Sequence, residues 1–270
     1  MNKRLLLLLR VLFATLIIFF LGCNKIIDVD DLLHHQKEVE LCKIQKITSY
    51  SAYSNNTGPL VATFEYNHRG DPVSVNFSEV ATGRPNLVWR YDKHGKLTDY
   101  AGPYTNGVYE FWRHYQYSGD RIVSDTMYAF GNIVNGVFQP STSYGWVDQY
   151  EYDLFGRVIK VNQRFLSPSN SFPVEVTFKY DNNGNLATYR IFFDGVLESE
   201  QNFNSYDNKI NLRRTSEVWL FTDMNYSVNN IVKATSYNSF GLPLGFDTKE
   251  FFYFLYQYDI TNSTIEYKCK

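Results

Sequence analysis

The chain has 270 residues and a formal net charge of −2, with 26 basic against 28 acidic side chains. That balance carries no electrostatic footprint for nucleic acid or for an anionic lipid surface. The composition departs from the ordinary in its aromatics: 22 Tyr, 21 Phe and 4 Trp make up 17% of the chain, a density that suits pleated, half-buried strands.

At the N-terminus Asn2, Lys3 and Arg4 precede an apolar run from Leu5 to Leu21 that only Arg10 interrupts, which is the anatomy of a signal peptide. The uninterrupted part, Val11 to Leu21, is too short to span a bilayer, which takes roughly 20 apolar residues. The run ends Phe20-Leu21-Gly22-Cys23 and resembles the lipobox of bacterial lipoproteins, in which a small residue precedes a cysteine that becomes lipidated. The match lies in Gly22 and Cys23; Phe20 stands where the family usually has an aliphatic residue. Residues 1–22 are therefore expected to be removed and Cys23 to carry lipid that holds the protein on a membrane. Two acyl chains anchor stably where one binds only marginally. An ordinary secretory signal with an incidental cysteine is the alternative.

Residues 23–41 read as a charged tether, with Asp28, Asp30 and Asp31 close behind Cys23 and a turn or two of helix through Leu32 to Glu40. Acidic residues in that place resemble the surface-export signal of Bacteroidetes lipoproteins, and solvation accounts for them equally well. With Cys23 assigned to lipid, Cys42 and Cys269 remain, an even pair in an oxidising compartment, and a disulfide between them is expected. It would join the two ends of the folded domain and set its first and last strands side by side.

From residue 42 onward the chain repeats itself. An aromatic residue, any residue, Tyr, then Asp or Asn, two turn residues, Gly, a polar residue and an aliphatic recur as Trp89-Arg90-Tyr91-Asp92-Lys93-His94-Gly95-Lys96-Leu97, at Tyr150 to Val158 and at Phe178 to Leu186. A related copy runs from Phe64 to Val73, and degenerate ones start at Tyr115, Tyr206, Tyr237 and Tyr256. Alternate aromatics put two rings on one face of a strand. Asp or Asn then offers an oxygen to turn amides, and Gly supplies the positive φ that ends the turn. Each unit is one tight hairpin, and the row predicts an antiparallel up-and-down meander of roughly 14 to 16 strands. So wide a sheet tends to curl and close, because open edges are unstable. The expected fold is all-β, a single β-barrel domain over residues 42–270, with no useful helical periodicity after residue 41.

The Tyr-Asp-x-x-Gly units at 91–97, 152–158 and 180–186 resemble the YD repeats of RHS-type proteins. Together with the lipobox and the length, the chain is similar to Bacteroidetes lipoproteins of unknown function grouped as DUF4595, and that resemblance implies a porin-like β-barrel. It implies no activity, because the repeat residues are turn formers. An outer-membrane barrel is the weaker reading: a lipid anchor would be redundant for it, and the chain ends Lys268-Cys269-Lys270 without a terminal aromatic.

The search for chemistry yields no catalytic constellation, no metal site and no cofactor motif. His34 and His35 lie in the tether, His68 and His94 in turns, and only His114 in a strand-like stretch. Asp181-Asn182-Asn183-Gly184-Asn185 has its Gly two positions too early for a calcium loop. Asp125-Thr126-Met127 matches a short O-glycosylation pattern of Bacteroidetes. Two classes of function remain. In a non-enzymatic binding or structural lipoprotein of the outer membrane, Trp89, Trp112, Trp146 and Trp219 stack on a glycan or an envelope protein, unless those rings are core. The alternative is a carbohydrate-active hydrolase using carboxylates inside the barrel, in which Asp and Glu cluster with Trp at one mouth. An interior plugged by Tyr and Phe favours a scaffold.

Overall fold

The computed structural model describes residues 42–50, 58–141, 144–167, 172–248, 252–256 and 258–270. The signal segment, Cys23 and the tether lie outside them. The chain lays down β1 (Cys42–Ser49), β2 (Leu60–Tyr66), β3 (Pro72–Phe77), β4 (Leu87–Tyr91), β5 (Leu97–Pro103) and β6 (Val108–Ser118). It continues through β7 (Arg121–Val134), β8 (Val137–Pro140), β9 (Gly145–Tyr152), β10 (Val158–Phe165), β11 (Val174–Tyr180), β12 (Leu186–Phe193) and β13 (Val196–Asn202). After a stretch with little strand come β14 (Ala234–Tyr237), β15 (Pro243–Asp247), β16 (Tyr253–Phe254), β17 (Tyr258–Asp259) and β18 (Asn262–Cys269).

These strands form one 16-stranded antiparallel sheet, with β16 and β17 apart as a two-stranded hairpin. The all-β meander is present at the expected width. From β13 the order runs through consecutive neighbours to β1, with β8 branching from β7, then passes to β18, β15 and β14. The first and last strands are therefore partners: Cys42 stands opposite Cys269 in their ladder, and a disulfide joins the two. The sheet does not close through hydrogen bonds, however. It continues past β18, and β13 and β14 remain as its two ends.

The turns show why these residues fold as they do. Asp92 Oδ1 accepts from the amides of His94 at 2.8 Å and Lys96 at 2.9 Å, while the Gly95 amide donates to the Asp92 carbonyl at 3.0 Å. Asp153 and Asp181 repeat the pattern, and Asn67 and Asn238 do so with an amide oxygen. Gly95, with φ of 89°, occupies left-handed backbone that a β-carbon would strain. Because neighbouring strands alternate in direction, the turns after β2, β4, β6, β9, β11 and β14 all lie at one end of the sheet. Cys42 and Cys269 lie at that same end.

One expectation needs correction. The unit beginning at Tyr206 is not a hairpin. Asp207 still accepts from the Lys209 amide at 3.0 Å, but Ile210 stands where the glycine would be, so the chain cannot turn back. Instead it forms a 3-10 turn, Leu212–Thr215, and a short helix α1, Glu217–Thr222, whose N-cap Ser216 accepts from the Val218 amide at 3.3 Å. This helix carries Trp219, fully buried, into the centre of the main core. Trp89 at 5.1 Å, Phe64 at 6.0 Å and Phe254 at 6.0 Å meet Trp219 edge to face. The inner face of the sheet is thus packed by α1 and by described residues that follow it, among them Phe252, Phe254, Leu255 and Ile260.

Candidate functional site

On the inner face, where strand alternation elsewhere places apolar side chains, a polar row crosses neighbouring strands. Tyr100 of β5 is paired in register with Arg113 of β6, Asp125 of β7 with Asp148 of β9, and Asp148 with Gln163 of β10. Arg113 sits between the buried Phe111 and Tyr115 on its own strand. Its Nη1 donates to both oxygens of Asp125, at 3.1 and 2.9 Å, and to Asp148 Oδ2 at 2.6 Å. Gln163 Nε2 donates to the other Asp148 oxygen at 2.9 Å. The Tyr150 hydroxyl donates to Asp125, and Phe221 of α1 packs edge-on against Tyr115 and Tyr150, both at 5.4 Å.

Burial governs the electrostatics. It raises the Asp125 carboxyl above its ordinary range; Arg113 opposes the shift and Asp148 adds to it. Burial likewise holds the Tyr115 and Tyr150 phenols well above 10.0, with the Asp125 charge adding. The Tyr100 hydroxyl is buried without a hydrogen-bond partner, and its phenol is raised by burial and then by Asp223. A second buried pair lies close to α1: Arg213 Nε donates to Asp223 at 2.6 Å, and Asp223 accepts from the Leu255 amide at 3.0 Å. Burial raises Asp223 against the pull of Arg213.

Several inner carboxylates are therefore held by a guanidinium or by tyrosine hydroxyls: Arg113 binds Asp125 and Asp148, and Arg213 binds Asp223. Glu110, bonded to Tyr104 and to Tyr256, belongs to this set. Such pairing offsets part of the cost of burying these carboxylates. Among the described residues no group of His, Cys, Asp and Glu is arranged to hold a metal ion.

The tryptophans do not assemble into a binding surface. Trp89, 2% exposed, and Trp219, 0% exposed, are core, so neither offers a ring face to a ligand. Trp112 lies on the outer face, stacked with Tyr128 and Phe138, both at 5.4 Å, and donates from Nε1 to Asp99 at 2.8 Å. Trp146 is half-buried on the inner face, edge-on to Phe165 at 6.1 Å. His114 is exposed and bonds Asp99 through Nδ1 at 2.9 Å. Glu200 pairs with Arg190 on the outermost strand, β13. Cys23 lies outside the described residues, so the lipid site has no structural description.

Arg113, Asp125 and Asp148 went unnoticed as a group in the sequence. The available signal was parity: each is a charge at a position whose neighbours two residues away, such as Phe111, Met127 and Tyr150, are apolar or aromatic.

Fold and site together define an all-β protein of tyrosine–aspartate hairpins with a packed interior and an internal polar row. No family model matches the sequence, and no curated protein is similar to it. Among solved structures, the chain is similar to one titled "Crystal Structure of TcdB2-TccC3-Cdc42", at 14% identity and a TM-score of 0.25 over 57% of this chain and 9% of that one. It is similar also to "Crystal Structure of TcdB2-TccC3-TEV", at 13% identity and a TM-score of 0.25 over 68% of this chain and 11% of that one. The chain thus spans about a tenth of the length of those it matches.

Proposed function

We propose that this protein is a cell-envelope lipoprotein of the outer membrane, held by lipid on Cys23, whose β domain is a non-enzymatic structural or binding module. The observation that carries the non-enzymatic part is the packed inner face: α1 and the segment that follows it fill the interior, and the carboxylates there are tied to Arg113 and Arg213. Support for export comes from the signal-like residues 1–22 and from the Cys42–Cys269 disulfide, a bond typical of oxidising compartments. The resemblance of the lipobox and the Tyr-Asp-x-x-Gly units to those of Bacteroidetes lipoproteins of the DUF4595 group would fit the same placement. A partner would be a glycan or an envelope protein, met on the outer surface.

Membrane fractionation with intact mass tests the reading. The mature chain is expected to begin at Cys23 with the added mass of lipid, and Cys23→Ala to move the protein out of the membrane fraction. An unmodified Cys23 in a membrane-free protein would sink it. For the module itself, titration with envelope polysaccharides should show binding without turnover, and released sugar would restore the hydrolase reading.

A further inference from the structure

The end of the sheet that holds Cys42 also presents the repeat turns, and one of these differs from the rest. Its two tip residues are Leu154 and Phe155, 103% and 79% exposed. The matching tips are His68-Arg69, Lys93-His94 and Asn182-Asn183, all polar and exposed, and Ser239-Phe240, whose ring is half-buried against Cys42 and Leu242. The fold does not require apolar residues here. Asp153 builds the turn by accepting from the Phe155 amide at 2.9 Å and the Arg157 amide at 3.0 Å, and Gly156 supplies the positive φ of 77°. Arg157 is pinned behind the tip by Asp153 at 2.7 Å, with its guanidinium 5.1 Å from the Phe155 ring. The result is a rigid turn that thrusts two large apolar side chains into solvent.

Connectivity says what covers them. The chain enters the domain at Cys42, at the same end as this turn, and residues 24–41 separate it from Cys23. Fully extended, that length reaches at most about 65 Å, and a random coil of the same length would average about 25 Å. An anchor at Cys23 therefore keeps this end of the domain close to the membrane at high effective concentration. Resting on that anchor, we propose that Leu154 and Phe155 insert into the interfacial region of the bilayer and form a second membrane contact that orients the domain, with the Cys42–Cys269 end facing the lipid. Two side chains bind too weakly to hold a protein alone; after lipidation they need only orient it. The contact is apolar, in keeping with the chain's near-neutral charge, so salt should not release it.

The test uses the full processed chain reconstituted on phosphatidylcholine vesicles. An environment-sensitive dye is attached at Leu154→Cys or, as the control, at Asn182→Cys in the next turn; both positions are exposed and leave the turn bonds intact. Flotation reports the anchor, and quenching by nitroxide lipids reports the tip. The expected result is flotation of both variants with quenching at 154 roughly threefold that at 182, retained in high salt. Flotation with equal quenching at both positions overturns the tip contact and leaves the anchor standing. Failure to float removes the anchor and the tip contact with it. A dye at 154 that is shielded only by added envelope protein would reassign the tip to a protein partner and overturn the lipid assignment.

Discussion

The hydroxyl of Tyr91 donates a hydrogen bond of 2.7 Å to the carbonyl of Pro72, the residue that closes the preceding hairpin turn. The relationship recurs along the sheet. Tyr117 reaches the Leu97 carbonyl at 3.0 Å, Tyr152 that of Ile122 at 2.7 Å and Tyr206 that of Leu186 at 2.5 Å. Tyr180 makes a longer contact of 3.5 Å with Val158, and Tyr66 applies the same clasp to Ile44 of β1 at 2.9 Å. From Tyr91 to Tyr206 the tyrosine of the unit thus fastens it to the one before, whereas the Tyr258 hydroxyl donates to Ile47 and Leu60. Tyr206 keeps its clasp even though its hairpin has been lost.

Removing one clasp should cost the net value of a hydrogen bond plus the exposure of a half-buried carbonyl. Tyr91→Phe is expected to lower unfolding stability by about 1 kcal/mol, and Tyr152→Phe by a similar amount, measured by urea denaturation at neutral pH. Two clasps far apart should add. A loss near zero at both sites would show that the ring, and not the hydroxyl, sustains the repeat.

The disulfide should contribute more. Cys42 and Cys269 close a loop with a sequence separation of 227, for which the chain-entropy model gives about 5 kcal/mol. Cys42→Ser with Cys269→Ser is therefore expected to unfold at markedly lower urea with an unchanged native spectrum. The loss should fall somewhat short of that figure, because the unfolded chain without the bond is already more compact than a random coil. A free-thiol assay on the native mature chain should find no reactive Cys42 or Cys269.

What was legible in the sequence was local. Asp92 and Gly95 specify their turn within five consecutive residues, so the hairpins, their direction and the antiparallel meander follow from spacing alone. The polar row could not be read this way. Arg113 meets Asp125 and Asp148 only once the register of β6, β7 and β9 is fixed, and nothing within any one strand fixes it. α1 was missed because six residues give too few turns for a helical period, and its role comes from Trp219 finding Trp89 and Phe64. The sheet ends at β13 rather than running on into the next unit, where Ile210 stands in place of the turn glycine.

Trp219 tests whether that inserted helix is part of the core or an ornament on it. Its ring is fully buried among Phe64, Trp89 and Phe254, so Trp219→Ala should leave a large cavity and cost about 3 to 5 kcal/mol. Trp219→Phe should recover much of that. Thermal unfolding followed by near-ultraviolet circular dichroism would read both. A loss below about 1 kcal/mol for the alanine variant would mean that the helix leaves the sheet without disturbing it.

Asp125 makes the domain's response to pH predictable in sign. Its folded-state pKa is raised from 3.8, by burial first, then by the Asp148 charge against the pull of Arg113. The folded protein therefore holds this proton more tightly than the unfolded chain does. The stability it contributes is fully present below pH 3.8 and is lost as pH rises through the folded value. Asp125→Asn keeps an oxygen to accept from Tyr150 and has no proton to lose. The stability of the native sequence relative to Asp125→Asn should accordingly be flat below pH 3.8 and fall as the solution is brought toward neutrality. Paired urea titrations of the two proteins across that span would measure it. If the native sequence instead gained on the variant as pH rose, the attraction of Arg113 for the ionised carboxylate would outweigh its burial, and the polar row would be a salt bridge in full rather than a shared proton beside an arginine.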